Sequence, residues 1–307
     1  MRILLAVDGS PSSIRARDLV GRLPWPAGTV VRLLSVYDVP MDLVPAGGGM
    51  PWVGDAEDAV RDELTAELDR LADPLRRERI EVEHAVVRGR PATAIVEEAR
   101  GLGADLIVVG SRGRGPLAAM LLGSVSAEVA DRAPCPVLVT RSDRIGRMLL
   151  ATDGSDLVLA IPELLGKWGV FRGTPADVLS VAPPPERTFE LLADVYAQGT
   201  YRFTDDRREV LDRHRRFADE LARRLGDAGT PATSTVLAGD AAHEILGAAQ
   251  GFGTDLIVTG SRGLRGLESV VLGSVARNVV LHAACSVLVV HPAATAPHDS
   301  GDARETA

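Results

Sequence analysis

With 307 residues the chain has room for about two domains of roughly 150 residues each. A composition of 46% hydrophobic and 25% charged residues excludes disorder, and only 4% aromatic residues leaves the cores to Val, Leu, Ile and Ala. A formal net charge of -8 argues against a protein that coats nucleic acid, since such binding needs a clear basic face.

The first element is the apolar run Ile3 to Val7, a strand of the kind buried on both faces in a parallel sheet. Asp8-Gly9-Ser10 ends it, and a helix over Pro11 to Arg22 follows, with Ser10 as N-cap and Pro11 in its first position. A strand over Val30 to Val36 precedes a Gly/Pro-rich stretch, Val39 to Asp55, which reads either as a surface loop or as a lid. An amphipathic helix from about Ala56 to Arg77 comes next. Then come a strand over Val82 to Val87, a helix over Ala92 to Gly101, a strand over Leu106 to Val109, a glycine loop, a helix over Ser124 to Arg132 and a strand over Val137 to Val139. Strict alternation of strand and helix implies right-handed crossovers and a parallel sheet covered on both faces.

The whole series then recurs. Leu149-Leu150-Ala151 with Asp153-Gly154-Ser155 repeats Leu4-Leu5-Ala6 with Asp8-Gly9-Ser10 at an offset of 145, and Gly260 repeats Gly110 at an offset of 150. The chain is therefore read as two domains, residues 1–141 and 147–292, with a short polar linker between them and a disordered tail over 293–307. The strand-five edges, Val137 to Val139 and Val287 to Val290, are both apolar and are expected to pair with each other. Cys135 and Cys285 occupy equivalent positions, one per domain, and read as buried reduced thiols. Met1 to Val7 does not resemble a signal peptide, and no run reaches the roughly 20 apolar residues of a membrane span, so a cytoplasmic protein without membrane contact is expected.

The chemistry lies in a pattern that occurs twice, Gly-x2-Gly-x9-Gly-Ser: Gly110, Gly113, Gly123 and Ser124, then Gly260, Gly263, Gly273 and Ser274. Each copy follows an apolar strand, at the sheet edge where open parallel sheets bind ligands. The second glycine lets backbone amides approach an anion, and Gly-Ser opens a helix whose unpaired N-terminal amides suit a phosphate. Arg112 and Arg114, or Arg262 and Arg265, can neutralise further phosphate charge. Asp8 and Asp153 end the first strand of each copy at the same edge. Each reads either as a hydrogen-bond acceptor for an amino or hydroxyl group or as a turn and capping residue. There is no Gly-x4-Gly-Lys-Ser/Thr loop, no dinucleotide fingerprint after the first strand and no Gly-x-Ser-x-Gly elbow, and the six histidines do not cluster.

With these glycines the chain resembles the tandem-domain universal stress proteins of the ATP-binding type, over about residues 2–141 and 147–291. The resemblance implies two Rossmann-like, doubly wound α/β domains, each a five-stranded parallel sheet of order 3-2-1-4-5. It implies that Asp8 and Val36, and Asp153 and Val181, sit on the adenine side, with Ala6 and Ala151 nearby. It further implies that Val109, Gly110, Gly113, Gly123, Ser124 and Val125 line the ribose and phosphates. The second set is Thr259, Gly260, Gly263, Gly273, Ser274 and Val275. The expected ligand is ATP with Mg2+, the metal held through the nucleotide and not by protein side chains alone. The expected role is a nucleotide-dependent regulator in stress or growth-arrest physiology, acting on an unidentified protein partner, with a homodimer possible beyond the intramolecular domain pair. A slow ATPase or nucleotidyl or phosphoryl transferase, and a module without nucleotide, are the alternatives. No base for catalysis repeats besides Asp8 and Asp153, so an enzyme is not expected.

Overall fold

The computed structural model describes residues 1–38, 51–113, 122–184, 203–261 and 272–292. In the first half, β1 (Arg2–Ala6), α1 (Pro11–Arg22), β2 (Val30–Tyr37), α2 (Pro51–Arg77), β3 (Glu81–Arg88), α3 (Pro91–Leu102), β4 (Leu106–Gly110), α4 (Ser124–Arg132) and β5 (Val137–Thr140) follow one another. The second half runs β6 (Met148–Thr152), α5 (Asp156–Leu159), α6 (Ile161–Trp168), β7 (Ala176–Ala182), α7 (Phe203–Asp227), β8 (Ala232–Ala238), α8 (Ala241–Phe252), β9 (Leu256–Gly260), α9 (Ser274–His282) and β10 (Ser286–Val290).

All ten strands form one sheet, in the order β3-β2-β1-β4-β5-β10-β9-β6-β7-β8. Each half is parallel and keeps the expected 3-2-1-4-5 order. The halves meet through an antiparallel β5–β10 pair in which Leu138 faces Leu288, flanked by Val139 with Val287 and Val137 with Val289. Pairing the two apolar edges satisfies backbone groups that each domain alone would expose. Equivalent leucines face each other, so a local twofold passes between them through the sheet and keeps each face on its own side. One apolar layer, with Leu19, Leu68 and Leu75 from α1 and α2 and Leu165 and Leu221 from α6 and α7, accordingly runs through both halves. The other is built from α3, α4, α8 and α9, with Ile95, Val129, Ile245 and Val279.

Two elements depart from expectation. Helix α2 begins at Pro51 and not near Ala56, because proline has no N–H to lose in a first turn and joins the helix there. The counterpart of α1 is broken into α5 and α6 around Ala160, because Pro162 cannot donate to the carbonyl four residues back. The loop candidate over 39–50 and the tail over 293–307 lie outside the described residues.

Candidate functional site

Strands β1 and β4 are neighbours, with Ala6 beside Val109, so the loops leaving their carboxyl ends are forced together. Asp8 and Gly113 meet there: a Cβ on Gly113 would fall 2.7 Å from Asp8 Oδ2. The other carboxylate oxygen of Asp8 accepts from Ser10 N at 3.0 Å, while α1 is capped by Ser10, whose Oγ accepts from Ser13 N at 3.2 Å. Of the two readings of Asp8, capping therefore falls to Ser10. Asp8 closes the turn with one oxygen and brings the other to the glycine loop. Gly110 has a different reason to be glycine. A Cβ there would lie 2.8 Å from the Ser12 carbonyl carbon and 2.9 Å from Ser13 N, so the backbone of α1 occupies its side-chain space.

Serines tie the glycine loop down, two of which, Ser12 and Ser126, sequence reasoning did not single out. Ser12 Oγ accepts from Arg112 N at 3.2 Å and lies 3.4 Å from Ser111 Oγ, and Ser10 Oγ donates to Arg112 O at 3.3 Å. Ser126 Oγ donates to Gly110 O at 2.6 Å, and Gly123 N closes the loop on Ser111 O at 2.7 Å. Helix α4 then starts behind Gly123, which has no side chain to cap it, and exposed Ser124 stands at its first position. Its first-turn amides and positive dipole end face the loop without a side-chain cap, a setting suited to an anion. Arg112 is exposed beside it, and behind lies Arg141, whose pKa is pushed down to about 10 by burial, with repulsion from Arg112 adding to the shift. Ala6, Val36 and Val125 pack half-buried against the α3–α4 layer and form an apolar wall, with Val109 buried beneath.

The second copy keeps the outline and changes the wiring. Asp153 Oδ1 accepts from Ser155 N at 3.0 Å, Gly273 N closes on Ser261 O at 2.8 Å, and α9 also starts behind an uncapped glycine, with exposed Ser274 first. Val181 and Val275 repeat the half-buried wall, Ala151 and Thr259 are buried, and Gly260 ends β9. Leu157, Val158 and Ala276 stand where the first copy has Ser12, Ser13 and Ser126. The hydroxyls of Ser155 and Ser261 are buried without a partner among the described residues. Arg262, Gly263, Arg114 and Arg265 lie outside the described residues.

Sequence reading also missed a Ser-His pair. His214 of α7 places Nδ1 2.8 Å from Ser180 Oγ, which donates to Thr152 O at 2.9 Å, so the imidazole supplies the hydrogen between them. Ser180 is fully buried with its proton engaged, which rules it out as a nucleophile. The first copy has Ser35 and Leu64 in their places, so no repeated histidine marked the pair. Burial, and then the charge of Arg213, holds the His214 pKa below its ordinary value, against the opposing pull of Asp153. The fold thus favours neutral His214. Its contribution is complete above about pH 6.5 and is lost as pH falls through the lowered value. Thermal melting is expected to show a loss of stability on acidification from about pH 7 to about pH 5 that shrinks in His214→Leu. Equal pH dependence in the two proteins would refute this.

Cys135 and Cys285 are free thiols, the first pushed up to about 12, chiefly by burial. Among the described residues no three His, Cys, Asp or Glu side chains are grouped to hold a metal, and no helix is long and apolar enough to cross a membrane.

The profile described as the universal stress protein family matches residues 1–141 and again 145–291. The chain belongs to the universal stress protein family. It is 36% identical over 140 residues to a universal stress protein of Thermus aquaticus, covering 45% of this chain and 97% of that one. A universal stress protein of Mycobacterium bovis is 30% identical over 222 residues, 69% of each chain. The crystal structure of a universal stress protein from Archaeoglobus fulgidus superposes with a TM-score of 0.65 over 94% of this chain and 98% of its own, at 19% identity, a likeness of fold.

Proposed function

We propose that each domain of this universal stress protein binds one ATP with Mg2+, and that the bound nucleotide acts as a signal in stress or growth-arrest physiology. The observation that carries the reading is the meeting of Asp8 with Gly113 in front of the uncapped start of α4. A phosphate finds amides and a hydroxyl at Gly123 and Ser124, ribose or base hydroxyl and amino groups find the Asp8 carboxylate, and a flat base finds the wall of Ala6, Val36 and Val125. The equivalent set in the second domain is Asp153, Ala151, Val181, Gly273, Ser274 and Val275. Mg2+ is held through the phosphates, where it neutralises their charge.

The protein holds nucleotide without consuming it. Amides, hydroxyls and arginines stabilise ground-state phosphate, whereas turnover needs groups that act more strongly on the transition state. Occupancy then works in the cytoplasm by favouring one conformation, and with it the choice of a protein partner. Calorimetric titration with ATP and Mg2+, against AMP, ADP, cyclic AMP and GTP, is expected to give two ATP per chain. Hydrolysis is expected many orders below about 10 per second. Less than one nucleotide per chain at saturation refutes the binding, and several turnovers per second refute the holding role.

A further inference from the structure

The domain interface reaches directly into the second phosphate site. Asp131, in the last turn of α4, accepts from the backbone N–H of Leu272 at 3.1 Å, and both its oxygens receive Arg277 Nη2, at 2.8 and 2.7 Å. Leu272 immediately precedes Gly273, whose own N–H is taken by Ser261 O at 2.8 Å, and Arg277 lies one turn into α9. The approach to Gly273-Ser274 is thus gripped from two sides, by its own domain and by the other. A carboxylate in the last turn of α4 is disfavoured by that helix's own dipole, so its placement answers to the partner domain. The arrangement has no mirror. The positions equivalent to Asp131 and Arg277 are Leu281 and Ala127, which can form neither bond.

Helix α4 therefore begins with Ser124 at the first site and ends, two turns or roughly 10 Å later, at Leu272, next to Gly273-Ser274 of the second. We propose that Asp131 is a positioning residue through which α4 couples the two nucleotide sites. This rests on the nucleotide reading above. ATP at the start of α4 shifts the helix, Asp131 carries the shift to Leu272, and the second site changes affinity. By linkage the effect on the first site is equal, although the contact is one-sided.

The test uses the full chain. The parent's ATP titration is expected to depart by about 5-fold or more from the sum of its two single-site variants, Gly113→Glu and Gly273→Glu. In Asp131→Ala the sites become independent, and amide hydrogen exchange at Leu272 speeds up without nucleotide. Asp131→Asn keeps an acceptor for Leu272 N and is expected to retain part of both effects. The side chains of Asp131 and Arg277 are 27% and 48% exposed, so the fold tolerates these changes. Coupling that persists in Asp131→Ala, or faster exchange with coupling unchanged, overturns the proposal alone. Absence of any ATP binding by the parent overturns the nucleotide reading along with it.

Discussion

Replacing Gly113 by glutamate is expected to lower the bound ATP from two per chain to one. A Cβ at this position would meet Asp8 Oδ2 at 2.7 Å, so either the loop or the aspartate must move. The new carboxylate then stands beside Asp8 and in the space assigned to phosphate, where like charges repel at close range. Affinity at the first site should fall at least about 100-fold, equivalent to about 2.8 kcal/mol. Thermal stability should change little, because Gly113 is exposed and the atom it meets is the end of a side chain. Gly110→Ala is the contrasting variant. Its Cβ would strike the backbone of Ser12 at 2.8 Å, so it should lower the melting temperature as well as binding. Two glycines of one motif thus separate a ligand effect from a folding effect. Parental ATP binding in Gly113→Glu would show that the glycine loop is not the site.

These separate roles also show where sequence reading stops. The limits of α1 and α4, the Ser10 cap and the β5–β10 pairing were legible because each depends on local pattern: an apolar run, a capping serine, an unpaired edge. Strand order came with the family resemblance, since alternation alone does not say on which side of β1 the strand β4 lies. What stayed hidden was non-local or confined to one copy. Ser12 and Ser126 are ordinary helix residues until the fold brings them to Arg112 N and Gly110 O. His214 and Asp131 act across 34 and 141 residues of sequence, and neither recurs in the other copy. Searching for repeats favours what the copies share, and the differences in wiring lie in what they do not.

The largest loss of stability is expected at the seam between the domains. Leu138 and Leu288 face each other at the centre of the antiparallel pair, each 1% exposed, and both belong to the apolar layer that runs beneath α1, α2, α6 and α7. Truncating either to alanine removes buried carbon from a position hemmed in by strands on both sides, where the walls cannot collapse. The expected cost is about 2–5 kcal/mol for each, against a total of about 5–15 kcal/mol for a typical fold. The two side chains are direct neighbours, so the double variant should cost measurably less or more than the sum. Because both apolar layers cross the seam, denaturant should unfold parent and variants in one transition, with the midpoint lowered and the slope retained. Two separate transitions, or a loss below about 1 kcal/mol, would mean that the domains fold independently. The same pairing reverses strand direction between the halves and points the two candidate sites toward opposite edges of the sheet. A weakened seam should therefore also loosen the contact of Asp131 with Leu272, and ATP titration of Leu138→Ala should show the two sites approaching independence.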